Sequence, residues 1–372
     1  MTDTTQNPAV DLADAPRGAA IRLWEWTRAN LFNSPLNTVL TLAITYVFLR
    51  VVWPLIRWAT IDSTWNAAND RACQASGGAC WAFLKEWGRF ILFGRYPYEQ
   101  QWRPALVLAI FVAMLLASAR RSTGGRTLLI MWGGGLVLVF ALMWGGFLGM
   151  PYVETDLWNG LPLNLILALG GVGFSFPVAI FVALGRRSKL PAIRWLSVAY
   201  IELIRGVPLI TVLFMSALMV PLFLPGGASI AKLWRAEVAL TLFFGAYLAE
   251  AIRAGLQVIP RGQYEAADAL GLGYWRKMGL IILPQALAIS IPAIVNTAIG
   301  AFKDTTLITI VGIFDVLQDV NNATNDPSWR NAYWEGYVFV GAIFFVFCFY
   351  MSRYSQSLER SLSRVRPGPR RT

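Results

Sequence analysis

Runs of about twenty apolar residues recur along this chain, each long enough to cross the roughly 30 Å hydrocarbon core of a bilayer as a helix. Eight such runs are expected to span, at about 36–59, 104–118, 127–150, 162–184, 193–224, 236–256, 286–314 and 332–351. Composition agrees, with 56% of residues hydrophobic and only 14% charged. Sixteen tryptophans suit interfacial belts. The fold class is therefore all-α integral membrane, with about eight transmembrane helices.

Two stretches fit less simply. Arg50, Pro54 and Arg57 interrupt the first run, and Arg50 either snorkels or pairs inside the bundle. Residues 81–98 are apolar but charged at intervals, which suits a helix lying in the interface. Residues 1–35 are polar, lack an apolar core near their start, and read as a cytoplasmic tail instead of a cleaved leader. The expected order is this tail, a transmembrane extension over 36–160 with a long outer loop, a core over 161–360, and a basic cytoplasmic tail over 361–372.

A net charge of +11 can signal nucleic acid, but its distribution points to membrane loops. With the N-terminus inside, twenty lysines and arginines fall on inner segments, among them Arg126, Arg186, Arg187, Arg261 and Arg276. Eight fall outside, including Arg71, Arg89, Arg103 and Lys232. The excess lies inside, as the positive-inside rule requires, and both termini come out cytoplasmic.

Between two apolar runs, the stretch 263–287 carries Glu265, Asp268, Arg276 and Lys277. Residues 264–270 are good helix formers and Gly271 is a fitting stop. Lys277 then leads back into apolar sequence, and Pro284 marks a bend. On physics alone this is either an ordinary solvated loop or an element shaped to touch something outside the membrane.

The spacing favours the second reading. Glu265-Ala266-Ala267, Gly271 after three intervening residues, and Ile281-Ile282-Leu283-Pro284 after nine more resemble the EAA loop of ABC importer permeases. Glu250 to Gln263, the run I-E-L-I-R-G-V-P-L-I-T from Ile201, and K-D-T-T-L from Lys303 are similar to signatures of the polar amino acid subfamily. The resemblance covers roughly 161–360. The extra N-terminal spans match the long form found in general L-amino-acid systems. It implies a five-helix core of the type I ABC importer permease fold, located in the bacterial inner membrane and working by alternating access. It also implies a second permease subunit, two cytoplasmic ATPase subunits holding ATP and Mg, and a periplasmic amino-acid-binding protein. No cofactor on this chain and no nucleic-acid partner are expected. The ATPase-coupling residues would be Tyr264, Glu265, Ala266, Ala267, Ala269, Leu270, Gly271 and Leu272.

Polar groups inside apolar runs are costly and mark candidate transport-path residues. Glu202 and Arg205 are three apart, share a helix face and can pair, as a structural or a functional ion pair. Lys303, Asp304, Thr305 and Thr306 lie deep in the seventh run. A substrate bearing both an ammonium and a carboxylate would partner them, and helix bracing is the equal alternative. Asp315 and Asp319 are expected near the outer end, where they could face a delivering protein. Cys73 and Cys80, in the long outer loop, are expected to pair as a disulfide in an oxidising compartment, with two free thiols as the alternative. With no histidine and no glycine-lysine phosphate loop, neither catalysis by histidine, a histidine metal site nor ATP binding by this chain is expected. The other class of function is an ion-coupled secondary transporter or channel relaying charge through Lys303, Asp304 and Glu202.

Reporter fusions test the orientation. A periplasmic reporter placed at Gly271 should be inactive and a cytoplasmic reporter active; the opposite result would invert the topology.

Overall fold

The structure is a computed structural model and describes residues 19–118, 124–225 and 230–365. The tail residues 1–18 and 366–372, and the basic pair Arg120 and Arg121, lie outside the described residues. The described residues form fifteen α-helices. In chain order they are α1 Ala19–Leu31, α2 Pro35–Ile56, α3 Asp70–Gln74, α4 Ala82–Phe93, α5 Trp102–Ser118, α6 Gly125–Trp144, α7 Gly160–Arg186 and α8 Pro191–Gly206. There follow α9 Leu209–Phe223, α10 Lys232–Val258, α11 Arg261–Ala269, α12 Tyr274–Lys277, α13 Leu283–Asp304, α14 Val316–Thr324 and α15 Tyr333–Val365. Among the described residues, seven helical segments are long and apolar enough to cross a membrane, and eight if α8 and α9 together make one broken span. The interface segment appears as α4, only 12 residues long.

The packing divides into two units, one of residues 1–67 with 71–81, the other of 68–70 with 82–372. The break falls at Trp81, well before residue 160, because α4 and α5 pack on α7 and α4 also packs on α14. In the first unit, α2 carries no buried residue and passes through Pro54 into a π-turn at Arg57–Ile61. Arg50 finds a partner on its own helix: its Nε donates to the Tyr46 hydroxyl at 3.2 Å. The loop beyond is closed by a Cys73–Cys80 disulfide with Cα atoms 5.5 Å apart. Trp81 donates to the Ala59 carbonyl at 2.8 Å and packs near Trp58 and Trp65.

In the second unit, α10 runs through the centre, packed on α7, α8, α9 and α13. Its buried face is rich in small residues, Ala236, Ala239, Gly245, Ala246, Ala249 and Gly255. Without a hydrophobic drive between helices in lipid, close backbone approach supplies the packing energy. At Gly255 a Cβ would lie 2.2 Å from Ser290 Oγ and 2.5 Å from the Ala286 carbonyl oxygen, so only glycine lets α13 come this near.

Three expected runs need correction. The run 193–224 is two helices bent by 101°. Pro208 disfavours helical backbone at the residue before it, and Val207 is extended, with φ −108° and ψ 136°. The run 127–150 stops at Trp144, where Gly145 takes φ +70°. The run 286–314 begins a dozen residues early, at Tyr274, and tightens into a 3-10 segment over Thr305–Val311.

Arg103 closes the end of α6. It is fully buried, and its guanidinium donates to the Leu142 carbonyl at 2.6 Å, to Pro151 at 3.0 Å and to Met143 at 3.2 Å. A Cβ at Gly145 would stand 2.4 Å from its Nη2. Counting charges treats Arg103 as an outer-loop cation, whereas here it satisfies the carbonyls a helix end leaves unpaired. Arg103→Met should lower stability by roughly 2–3 kcal/mol, since hydrogen bonds to a charged donor are lost in a buried site. Thermal unfolding in detergent measures this, and an unchanged melting temperature would refute the role.

Candidate functional site

The charged stretch forms a stiff double turn. α11 starts at Arg261, after Pro260, and ends with Leu270 as its cap. Gly271 follows with φ +69°; its N–H donates to the Asp268 carbonyl at 2.9 Å, and the Leu272 N–H donates to Ala267 at 3.2 Å. These two bonds form a Schellman closure, which needs the left-handed backbone glycine adopts at little cost. Glu265 is thus the fifth residue of α11, beyond its first turn, where the helix dipole gives a carboxylate little stabilisation. Lys277 pairs with Asp268 and ties α12 to α11.

Of the expected coupling residues, Ala267 faces inward and is 1% exposed. Tyr264 and Leu272 are half-buried, while Glu265, Ala266, Ala269, Leu270 and Gly271 are exposed. Leu270 is 75% exposed, Trp275 67% and Leu280 71%, so the stretch presents an apolar surface outward. Its base is fixed. The Gln285 amide donates to Gln263 at 3.2 Å, and Met278 and Ile282 enter a core cluster with Leu184, Ile201, Ile252 and Leu256. A π-turn spans Met278–Ile282 just before Pro284. Proline lacks the N–H that an α-helix would need there, and the wider turn absorbs the loss.

The Glu202–Arg205 pairing is corrected. Glu202 bonds instead to Arg186 of α7 at 3.1 Å, and Arg186 also bonds Glu250 of α10 at 3.1 Å. Arg253 pairs with the same Glu250. Arg205 lies over the Tyr247 ring, its guanidinium carbon 5.3 Å from the centroid.

Tyr247 leads to the second feature, a cavity of about 290 Å³ between α9, α10 and α13. Its lining comprises Leu209, Phe243, Phe244, Tyr247, Asn296, Thr297, Gly300 and Asp304. The four residues Lys303 to Thr306 therefore separate. Asp304 faces the cavity; Lys303 is exposed and outside the lining. Thr305 is fully buried, accepting from Asn164 at 2.8 Å and donating to the Phe302 carbonyl at 2.7 Å. The Thr306 hydroxyl bonds back to the Lys303 carbonyl at 2.9 Å. Asn164, Asn296 and Thr297 were missed because uncharged polar residues in apolar runs raise no charge signal, although each is a polar group in a span.

Asp315 and Asp319 are 1% and 0% exposed, so neither offers its side chain to a delivering protein. Asp315 caps α14 through the Gln318 N–H at 3.0 Å, and Asn164 accepts from the Val316 N–H at 3.1 Å. Burial pushes the Asp319 carboxyl up to about 8, helped by the Asp315 charge and opposed by Asn322 and Arg95.

The model of the family described as "Binding-protein-dependent transport system inner membrane component" matches residues 175–364. The inner membrane amino-acid ABC transporter permease protein YhdY of Escherichia coli (strain K12) is 46% identical, covering 94% of this chain and 96% of that one. The glutamate/glutamine/aspartate/asparagine transport system permease protein BztC of Rhodobacter capsulatus is 39% identical, covering 98% of this chain and 99% of that one. The crystal structure of an amino acid ABC transporter with histidines is 31% identical over 54% of this chain and 92% of that one, with a TM-score of 0.48.

The buried acid has a stability signature. Between about pH 4 and about pH 8 the folded chain keeps the Asp319 proton while the unfolded chain has released it. Stability should therefore fall as pH rises through that window, and Asp319→Asn should flatten the fall. Melting temperatures in detergent across this range check it; a profile identical in both proteins would refute it.

Proposed function

The chain belongs to the family of binding-protein-dependent transport system inner membrane components, and from that membership we propose that it is the membrane-spanning subunit of an ATP-driven amino acid importer. A second permease subunit would complete the pathway. Two cytoplasmic ATPase subunits would carry ATP and Mg, and a periplasmic binding protein would deliver the cargo. Both termini would lie in the cytoplasm, which places α11 and α12 on the ATPase side of the inner membrane.

The observation that most supports this reading is the α11–α12 knob. It is closed by a Schellman turn at Gly271, anchored below in the bundle core, and apolar on its outer face at Leu270 and Trp275. A cleft in an ATPase would cover that face, and a stiff knob carries displacement without absorbing it. The helices it joins, α10 and α13, both line the cavity that holds Asp304. Moving their inner ends would open and close that cavity, which is alternating access expressed in these residues. Asp304 has no ion-pair partner among the described residues, and an amino acid's ammonium would supply one. The substrate-path role of Lys303 is weaker, since Lys303 is outside the cavity lining.

Two substitutions separate backbone from surface at the knob. Gly271→Ala adds only the strain of a left-handed residue, roughly 1–2 kcal/mol, because a Cβ there meets nothing within 4 Å. It should assemble and transport. Gly271→Arg adds the same strain plus bulk on the partner face and should lose the ATPase or uncouple it; Ala267→Trp, at a buried position, should instead unseat the knob and lower assembly; Glu265→Gln should be mild. Uptake and stimulated ATP hydrolysis in reconstituted complexes are the readouts, and normal coupling in Gly271→Arg would overturn the assignment. In the same assay, Asp304→Asn should reduce uptake while assembly is retained.

A further inference from the structure

α10 ends at Val258, followed by extended Ile259 and by Pro260. The helical partner of the Leu256 carbonyl would be the N–H of residue 260, which proline lacks. That carbonyl is taken by Arg187 of another helix end. Arg187 caps α7, its own N–H bound to the Leu184 carbonyl at 3.1 Å, so its stem is fixed to the bundle. Its Nη1 donates to Leu256 at 2.8 Å and to the Tyr264 hydroxyl at 3.1 Å. The Tyr264 hydroxyl in turn reaches the same Leu256 carbonyl at 3.5 Å. The guanidinium carbon also lies 5.7 Å from the centre of the Tyr264 ring.

We propose that Arg187 is a positioning residue of the transport cycle, a clamp that fixes the α11 knob to the ends of α7 and α10 at one point. This rests on the coupling role assigned to α11. α11 and α10 are joined directly only through Ile259 and Pro260, a two-residue extended hinge that by itself would let the knob swivel. Arg187 adds the restraint from the α7 side, beside the Gln263–Gln285 contact to α13, because Tyr264 cannot move away from Leu256 without breaking bonds to a side chain rooted in α7. A displacement of the knob therefore moves α7 and α10 together. A surface arginine without this role would hold a tyrosine in place and nothing more.

The test uses the complete reconstituted transporter and the number of substrate molecules taken up per ATP hydrolysed. Arg187→Ala should assemble with the ATPase and hydrolyse ATP, but that ratio should fall by about tenfold, within the range single residues between coupled sites produce. Tyr264→Phe, which removes only the hydroxyl, should lower the ratio less. The double variant should be no worse than Arg187→Ala, as expected of groups acting in one contact. Arg187→Lys should recover part of the ratio, since an ammonium can reach one of the two acceptors. A purely structural arginine would lower uptake and hydrolysis in proportion, leaving the ratio unchanged, and that result overturns the proposal. If Arg187→Ala fails to insert, Tyr264→Phe decides, and an unchanged ratio in it is the refuting outcome. The underlying reading is checked separately: if Gly271→Arg uncouples while the Arg187 and Tyr264 variants stay coupled, only the clamp is wrong. If all three stay coupled, the coupling role of α11 itself falls.

Discussion

A carbonyl left without its N–H partner in or near hydrocarbon costs more than one left in water, and much of this architecture follows from how such carbonyls are met. Two of those that prolines create are met by arginines. Pro221 removes the partner of Ala217, and Arg235 of α10 donates to that oxygen. Pro260 removes the partner of Leu256, and Arg187 of α7 donates to that one. The end of α6 leaves Leu142 and Met143, which Arg103 of α5 takes together. In each case a long side chain from a neighbouring helix supplies the bond. The breaks are thereby also the joints: α9 is tied to α10, α10 to α7, and α6 to α5.

The same logic places the cavity. The 101° bend at Pro208 swings α9 away from the line of α8 and puts Leu209 on the cavity wall. Across from it α13 tightens at Thr305, where Asn164 holds the threonine hydroxyl and also accepts the first N–H of α14. One asparagine thus braces the end of α13 and the start of α14. Asp304 can face open space because its chain neighbour Thr305 is held in the core. Adjacent helix positions point about 100° apart, so Lys303 is turned elsewhere.

Much of this was legible in the chain. Span-length apolar runs marked the membrane helices, because length and hydropathy are local properties. The EAA-like spacing located α11, and Gly271 as its stop rested on a rule of backbone geometry that holds wherever the helix sits. What stayed hidden depended on three-dimensional neighbours. Glu202 and Arg205 share a helix face, yet Glu202 pairs with Arg186, sixteen residues back, which sequence spacing cannot see. Asp315 and Asp319 looked like surface acids at a span end and are buried, because α14 folds back on α4 and α7. Arg103 counted as a loop charge until the end of α6 was seen to need it. The bend at Pro208 stayed inside a run long and apolar enough to read as one span, because its angle depends on what the two halves pack against.

The knob carries a last physical consequence. Leu270 and Trp275 together expose large apolar groups at the edge of the bundle, on a turn held rigid by the Gly271 closure and the Asp268–Lys277 pair. A turn needing only solubility gains nothing from such residues, since each one buried against a partner would recover about 1.5–3 kcal/mol. Rigidity and apolar exposure are individually ordinary but rarely coincide on a free surface. A flexible apolar loop would collapse onto its own bundle, while a rigid polar one would stay solvated. This turn is prevented from collapsing by its backbone and is unsuited to water by its side chains. Its surface therefore gains most when another protein covers it, and the anchoring bonds below it would then carry whatever displacement that partner imposes.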